Sequence, residues 1–370
     1  MTSASSSQSH PQSSSESLAS SASAVPNTEF WAKLKKKEFE LIQELATQDP
    51  VLEALCEEMR VGKLSAALDE LWKQRNARYN QATGQNQIRI KGYYDFYKKI
   101  LSNVDVFPPG KPQLFIDLGV APGGMSKLRV EDFKGKGVAF SLDETKGGFQ
   151  MQFQHKNLKF IPCDMTNDQE FDTISTAING LGEWLRSSKV TFMNLEIVMS
   201  KPQRQNEETR NTRHLNITIC RNLFVLMLRY LEEGGSVLWI FKSTLIPTWF
   251  YFLDKLIHFF PDEVRLFWKQ EQRAPVYALC RGFKPNGTPS AAEWLDELEE
   301  PGEIDREMYM KWRMESVEEL RNVIDRIGGE LHTWWDTRTK ALGKCREQAE
   351  REYGQVPQPF QGSSTKFNNR

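Results

Sequence analysis

The sequence predicts an α/β protein built on a mostly parallel sheet. Three observations indicate this class: strand-like apolar runs alternate with helical periodicity, a glycine-rich turn follows the first run, and a short connection joins the last two. That short connection predicts an antiparallel hairpin at the sheet edge. The predicted strands are LFIDL, GVAFSL, LKFIPCD, TFMNLEIVM, SVLWIF, EVRLFWK and PVYALCRGF.

Helical patterns lie between the strands and on both sides of them. One helix is expected to begin near Gly124, and the long helix LNITICRNLFVLMLRYLEE is expected to stop at Gly234 and Gly235. Further helices are expected in DTISTAINGLGEWLRS, TWFYFLDKLIHFF, AAEWLDELEE and ESVEELRNVIDRIGGELHTWW. The expected organisation is a tail at 1–27, a helical segment at 28–103, a central domain at 104–285, a helical extension at 286–352 and a polar tail at 353–370.

Composition limits the classes of protein to consider. Of 370 residues, 39% are hydrophobic and 26% charged, a mixture that can bury a sizeable core, and the net charge of −1 gives no overall attraction to nucleic acid. No run approaches eighteen apolar residues, so no membrane span is expected. Residues 1–27 are rich in Ser and Ala and have neither Lys nor Arg nor an apolar core, which predicts a disordered tail rather than a signal peptide. An intracellular protein, cytoplasmic or nuclear, is therefore expected.

Cysteine usage predicts free thiols. The five cysteines are scattered, no two form a CxxC pair, and no histidine stands at ligand spacing. No metal site is expected.

The stretch LFIDLGVAPGGMSK, residues 114–127, carries the strongest functional signal. Its glycines, Gly119, Gly123 and Gly124, do not have the G-x-G-x-x-G spacing of a dinucleotide site. A phosphate loop would need a lysine where Met125 stands. A third ligand, S-adenosylmethionine, needs close backbone approach and an acid for its ammonium, without a phosphate-binding lysine.

Acidic residues end three successive predicted strands, which favours that third ligand. Asp117 is expected to meet the ammonium, Asp143 the ribose hydroxyls and Asp164 the adenine amino group. Any one of them alone would be interpreted as a turn or helix-cap aspartate. Their repetition at one edge of the sheet makes the cofactor interpretation specific.

The segment DLGVAPGGMS resembles motif I of the FtsJ-like (RrmJ-like) S-adenosylmethionine-dependent methyltransferases, and the details LDETKGGFQM are similar to divergent fungal members. The long helix, the glycine turn with its following strand and the terminal hairpin extend the resemblance over about 90–285. It implies a Rossmann-like methyltransferase fold, methylation of an RNA ribose 2′-oxygen, and S-adenosyl-L-methionine as cofactor. The implied cofactor-binding residues are Asp117, Gly119, Pro122, Gly123, Gly124, Met125, Asp143 and Asp164.

The family's catalytic Lys-Asp-Lys-Glu tetrad is incomplete in this sequence. Phe96 stands at the first lysine, with Lys91, Lys98 and Lys99 around it. Met199 and Ser200 stand at the aspartate.

The remaining two tetrad positions also differ. Ile240 stands at the central lysine and Pro275 at the glutamate, the latter near Arg273 and Glu271. Lys242 follows Ile240 by two residues, which keeps the same strand face. Lys242 is the candidate acceptor-side lysine, and Glu196 is the acid expected to hold it if their strands are neighbours.

Three functions remain open at this point. The first is an RNA ribose 2′-O-methyltransferase and the second a small-molecule O-methyltransferase of the same fold. The third is a degenerate methyltransferase fold that acts as a cofactor-binding or scaffold protein. Protein partners and oligomeric state are not predicted.

Overall fold

A computed structural model describes residues 28–81, 85–102, 112–185, 187, 189–197, 212–241, 245–272, 275–299 and 310–354. The predicted tail at 1–27 lies outside these ranges, as do residues 355–370 of the tail predicted at 353–370, whereas Tyr353 still belongs to the last helix. None of the helices within them has the length and apolar character that a membrane crossing requires. No disulfide joins any two of the five cysteines, all of which lie within the described ranges.

Seven strands form one mixed sheet in the order β3-β2-β1-β4-β5-β7-β6. Strands β1 to β5 pair in parallel, whereas β7 runs antiparallel to both β5 and β6. The strands are β1 (Leu114–Leu118), β2 (Lys136–Ser141), β3 (Leu158–Pro162), β4 (Val190–Leu195), β5 (Leu231–Phe241), β6 (Glu263–Phe267) and β7 (Val276–Arg281). The predicted fold class, a Rossmann-like methyltransferase sheet with an antiparallel terminal hairpin, is confirmed.

Helices cover both faces of the sheet and extend beyond it. The N-terminal helices are α1 (Thr28–Ala46), α2 (Pro50–Leu64), α3 (Ala66–Gln81) and α4 (Gln85–Leu101). Those among the strands are α5 (Gly124–Glu131), α6 (Asp168–Gly180), α7 (Gly182–Leu185), α8 (Thr212–Tyr230) and α9 (Pro247–Phe259). The last three are α10 (Ala291–Glu299), α11 (Val317–Ile327) and α12 (Gly329–Tyr353).

The long helix α8 ends earlier than predicted. It stops at Tyr230, and the following residues already belong to β5, where Leu231 pairs with Val190. Gly234 and Gly235 therefore do not end a helix. They form an irregular part of the strand, in which the Gly234 amide donates to Phe283 and the Phe283 amide donates to Gly235 (2.8 and 3.0 Å). The pairing with β4 and with Phe283 after β7 outweighs the helix-stop signal of the two glycines.

The main core lies between the sheet and α8 and is rich in aromatic side chains. The Phe224 ring on α8 lies 4.4 Å from Trp239 on β5 and 4.6 Å from Trp294 on α10. A second apolar cluster on the opposite face joins Tyr97 of α4 to Leu128 of α5. Helix α4 thereby packs directly on the helix that follows the glycine loop.

The helices before and after the sheet pack on one another. Helix α12 lies against α2 and α3, and Arg346 bonds to Glu58 at 2.9 Å. The same helix touches the terminal hairpin: Trp334 lies 5.1 Å from Trp268, and Glu330 accepts a hydrogen bond from the Leu266 amide. The hairpin is thus fixed by the pairing of β7 with β5 and by the contacts of β6 and Trp268 with α12.

Candidate active site

The glycine loop connects β1 to α5 at the carboxyl edge of the sheet. The Gly119 amide donates to the Phe140 carbonyl at 2.8 Å, which fixes the start of the loop beside β2. Gly119 and Gly123 have φ values of +78° and +116°, and L side chains rarely adopt such backbone conformations. The loop therefore requires glycine at these two positions for its own geometry.

Asp117 anchors the loop from inside the protein. Its side chain has 0% exposure, and its oxygens accept bonds from Ser126 Oγ (2.5 Å) and Asn194 Nδ2 (2.7 Å). Burial raises the Asp117 pKa to about 6, while these hydrogen bonds and the Arg129 charge act in the opposite direction. The carboxylate joins β1, α5 and β4, and in this arrangement it does not face the cleft. Its predicted contact with a ligand ammonium stays a prediction.

Asp143 and Asp164 lie where the sequence predicts, directly after the neighbouring parallel strands β2 and β3. Both are partly exposed. Each also uses Oδ1 to hold a turn: Asp143 accepts from the Thr145 amide (2.8 Å), and Asp164 accepts from the Thr166 amide (3.0 Å). The bonds to Thr145 lower the Asp143 pKa, so this carboxylate is ionised at neutral pH. Asp143 and Asp164 therefore each stabilise a turn and also remain partly exposed at the edge of the sheet.

The segment 148–155 lies over the glycine loop. A Cβ on Gly123 would come within 2.8 Å of the Phe153 Cβ and 3.3 Å of the Met151 sulfur. The Gln152 amide also donates to the Pro122 carbonyl at 3.2 Å. On this side, the absence of a Gly123 side chain makes room for the protein itself rather than for a ligand.

Two further residues predicted to bind the cofactor, Met125 and Gly124, pack closely against other parts of the protein. The Met125 side chain is 2% exposed and packs in the second apolar cluster, and its predicted role in cofactor binding stays a prediction. A Cβ on Gly124 would lie 2.6 Å from the Tyr93 Cβ, which brings α4 against the first turn of α5. The helix start is consequently covered by α4.

The tetrad positions are only partly within the described residues. Lys242, Met199, Ser200 and Arg273 lie outside them. Phe96 packs against Tyr277, with ring centroids 4.8 Å apart. Lys91 and Lys98 are exposed and bond to Asp95 (2.7 Å) and Asp132 (2.8 Å) respectively. Lys99 and Glu271 are exposed, and Pro275 is partly exposed directly before β7.

Glu196 directly follows β4, whereas the sequence predicts a strand that continues past it. Its amide donates to the Leu118 carbonyl at 3.1 Å, and β4 pairs with β5, the strand that leads to Lys242. The Tyr277 hydroxyl donates to Glu196 Oε1 at 3.0 Å. Burial raises the Glu196 pKa to about 7, against the effects of this bond and of the Lys269 charge.

Lys269 is the residue that the sequence interpretation missed. Its Nζ lies 3.2 Å from the centroid of the Tyr93 ring, and burial lowers its pKa to about 8, opposed by the charge of Glu196. A signal was present in the predicted hairpin. Because the end of β6 and the start of β7 lie at the carboxyl edge of the parallel strands, residues there belong to the cleft. We call Glu196, Lys269, Tyr277 and Tyr93 the edge cluster.

Residues 97–273 match the model of the FtsJ-like methyltransferase family, which confirms the resemblance found in the glycine loop. No curated protein matches the chain.

Solved structures with a similar arrangement include several methyltransferases. Human N-acetylserotonin methyltransferase in complex with S-adenosylmethionine is 13% identical, covers 63% of this chain and 67% of its own, and has a TM-score of 0.31. Human methyltransferase-like protein 13 with S-adenosylhomocysteine is 16% identical, with 61% and 96% covered and a TM-score of 0.29. A fibrillarin/Nop5p complex is 13% identical, with 52% and 83% covered and a TM-score of 0.29. At these TM-scores the likenesses carry no argument about the site.

Proposed function

We propose that this protein is an S-adenosylmethionine-dependent methyltransferase that acts on a hydroxyl oxygen, with the ribose 2′-hydroxyl of RNA as its substrate. One observation carries the proposal: two partly exposed carboxylates, Asp143 and Asp164, end the strands beside a glycine loop in the segment that matches the methyltransferase family. In open parallel sheets, ligands bind outside the carboxyl ends of the strands.

The residues present suit the adenosine end of the cofactor. Asp143 is ionised and accepts hydrogen bonds, as two ribose hydroxyls require. Asp164, one strand further along, accepts from the adenine amino group in this proposal. Backbone groups around Gly119 contact the amino-acid end, and the bound cofactor supplies a methyl group on a sulfonium sulfur.

Ribose in RNA is the substrate that the family resemblance favours. The surface near the loop also carries Tyr94 with Lys98 and Lys127 at 5.6 and 5.9 Å from its ring. An aromatic ring between cations suits a nucleic-acid strand. Both lysines also face carboxylates, Asp132 and Glu131, so this surface is not strongly basic.

A second candidate function, a cofactor-binding or scaffold protein without turnover, has an observation of its own. Met151 and Phe153 occupy the space beside Gly123. The tetrad positions Met199 and Pro275 also lack their acids. In this candidate the protein keeps the cofactor pocket or a remnant of it. It is then expected to bind the cofactor without transferring the methyl group.

Calorimetry and a transfer assay separate the two candidates. We expect S-adenosylmethionine and S-adenosylhomocysteine to bind with micromolar Kd, about −8 kcal/mol. Transfer of labelled methyl groups is then measured on total RNA and on a small-molecule extract, and digestion to nucleosides identifies 2′-O-methylated ribose. Label in the extract alone would contradict the RNA substrate, and binding without transfer would favour the scaffold.

Lys242 enters the same assay as the lysine predicted from the strand position. If Lys242 is the residue that takes the acceptor proton, Lys242→Ala lowers methyl transfer about 10²-fold, as expected for an acid–base group, while cofactor affinity changes only a few-fold. Lys242→Arg does not restore transfer, because a guanidinium does not release its proton at usable pH. Full transfer by the alanine variant would remove Lys242 from the mechanism.

A further inference from the structure

We propose that Lys269 of the edge cluster, on the turn of the terminal hairpin, contacts the methyl acceptor and takes its proton. Glu196 and Tyr277 act as positioning residues for it. This inference rests on the proposed function, because it assigns a role within the same methyl transfer.

The topology places Lys269 at the correct edge of the sheet. Strand β7 is antiparallel to β5, and Tyr277 pairs with Ile240 of β5 on one side and with Phe267 of β6 on the other. The end of β6 therefore lies level with the carboxyl end of β5. Lys269 follows that end by two residues.

The Tyr93 ring and the Glu196 carboxylate interact with the Lys269 amine, and Tyr277 is bonded to that carboxylate. The Tyr93 ring of α4 lies under the amine at 3.2 Å. The Glu196 carboxylate, after β4, interacts with it electrostatically and accepts the Tyr277 hydroxyl of β7 at 3.0 Å. The aromatic ring and the carboxylate thereby restrict the position of the flexible Lys269 side chain at the carboxyl edge of the sheet.

The edge cluster also touches both ends of the glycine loop. A Cβ on Gly119 would collide with the Glu196 carbonyl oxygen, and a Cβ on Gly124 would lie 2.6 Å from the Tyr93 Cβ. The two residues that interact with the Lys269 amine therefore contact the loop that is proposed to hold the methyl donor. A methyl acceptor must reach this region for an in-line displacement.

Burial makes the amine suitable as a base. It lowers the Lys269 pKa to about 8, so about a tenth of the amine is uncharged at pH 7 and about half at pH 8. Glu196, the acid facing it, has a pKa raised to about 7. Above about pH 8 the pair is a carboxylate with a mostly uncharged amine that can accept one proton.

The step balances without any further reactant. The acceptor oxygen forms a bond to the methyl carbon of S-adenosylmethionine, and the bond between that carbon and sulfur breaks. Its electron pair stays on sulfur, which yields the neutral thioether of S-adenosylhomocysteine. The acceptor proton passes to the uncharged Lys269 amine, which later returns it to solvent.

The first test uses the cofactor-free protein and needs no activity. Competitive labelling of amines across pH 6–11, read by mass spectrometry, follows Lys269 with the exposed Lys99 of α4 as internal reference. We expect Lys269 to be labelled with a midpoint near pH 8. In Glu196→Gln the midpoint falls further, since an opposite charge is removed. A Lys269 midpoint equal to that of Lys99, or one that Glu196→Gln leaves unchanged, would overturn the proposal.

The second test measures methyl transfer and cofactor affinity together. Lys269→Met keeps the apolar stem over Tyr93, so folding is retained while the amine is lost. We expect transfer to fall at least about 10²-fold and Kd for S-adenosylhomocysteine to stay within about threefold. Lys269→Arg, which keeps the charge, is expected to be equally inactive.

The outcomes separate two failures. Wild-type transfer that persists in Lys269→Met would overturn the assignment of Lys269 and leave the proposed function intact. Absence of transfer by the wild type on both RNA and extract would overturn the proposed function, and this assignment with it.

Discussion

The carboxyl edge of the sheet has two halves that are built differently. The donor half comprises the glycine loop with Asp143 and Asp164, and its edge carboxylates bond to residues two positions away. The acceptor half is the edge cluster, in which the Tyr277–Glu196 bond joins residues 81 positions apart. The pKa values of its acid and its lysine are shifted towards neutrality by burial, whereas hydrogen bonds lower the pKa of Asp143 and keep it ionised. Local turns therefore form the donor half, and strand register forms the acceptor half.

The largest effect is expected when the support of the donor half is removed. Asp117→Asn deletes a buried carboxylate that accepts from Ser126 and Asn194 and lies near the charge of the buried Arg129. Breaking a buried ionic arrangement costs about 3–5 kcal/mol, so the free energy of unfolding in urea should fall by about 3 kcal/mol or more. Asp143→Asn at the exposed edge is the control, with an expected change within about 0.5 kcal/mol. Equal effects of the two substitutions would contradict the anchoring role of Asp117.

Cofactor affinity should separate the halves next. An asparagine at 143 or 164 can keep the turn but loses the carboxylate charge. We expect Asp143→Asn and Asp164→Asn each to weaken S-adenosylhomocysteine binding about tenfold in calorimetry, about 1.4 kcal/mol. Glu196→Gln, in the acceptor half, should change Kd by less than twofold, and Asp172→Asn on the exposed face of α6 serves as a further control. A loss of affinity in Glu196→Gln as large as in Asp143→Asn would remove the distinction between the halves.

Gly123 tests how closely the segment 148–155 packs on the donor half. In Gly123→Ala the backbone stays at φ +116° and the new Cβ meets Phe153, so we expect a loss of about 1–3 kcal/mol in thermal or urea unfolding. Gly343→Ala in α12, where a Cβ meets nothing within 4 Å, should instead stabilise by up to about 1 kcal/mol. A neutral Gly123→Ala would show that the segment moves aside at no cost.

The last effect is a pH dependence that belongs to the acceptor half. Because the folded-state Glu196 pKa is raised to about 7, its contribution to stability is present below its ordinary value of 4.5 and is lost as pH rises to 7. Lys269, lowered from 10.5 to about 8, has the opposite sign, so its contribution is lost as pH falls from 10.5 to 8. Glu196→Gln should therefore reduce the slope of the free energy of unfolding against pH between pH 4.5 and 7, measured by urea unfolding at several pH values. Glu347→Gln, exposed on α12, should leave that slope in place.

The same difference explains what the sequence could predict. Apolar runs and turn residues are local signals, and they give the sheet with its hairpin, the loop, and the positions of Asp143 and Asp164. The start of β5 was wrong because pairing with β4 and the loop after β7 decides it, and no local pattern records that pairing. No local pattern records that the Met125 side chain, at the start of α5, is buried once α4 packs on α5, and its role in cofactor binding stays a prediction.

Lys269 escaped notice for a related reason. Its environment is made by α4, the end of β4 and β7, which are distant in sequence. Only the register of the hairpin relates the three. A search that projected the predicted hairpin onto the sheet edge would have included it.

The contact of α12 with the terminal hairpin has a consequence for synthesis of the chain. Trp334 and Glu330 brace β6 from the side opposite Tyr93, so the lysine-bearing turn is supported by residues made about 60 positions after it. A chain growing from the ribosome forms its N-terminal parts first. The donor half, whose Asp117 anchor bonds to Asn194 of β4, can then assemble once β4 has emerged, well before the acceptor half has its full support. Under the proposed function, a polypeptide released early could bind the adenosine end of the cofactor. It would lack the support that α12 gives to the hairpin turn carrying Lys269.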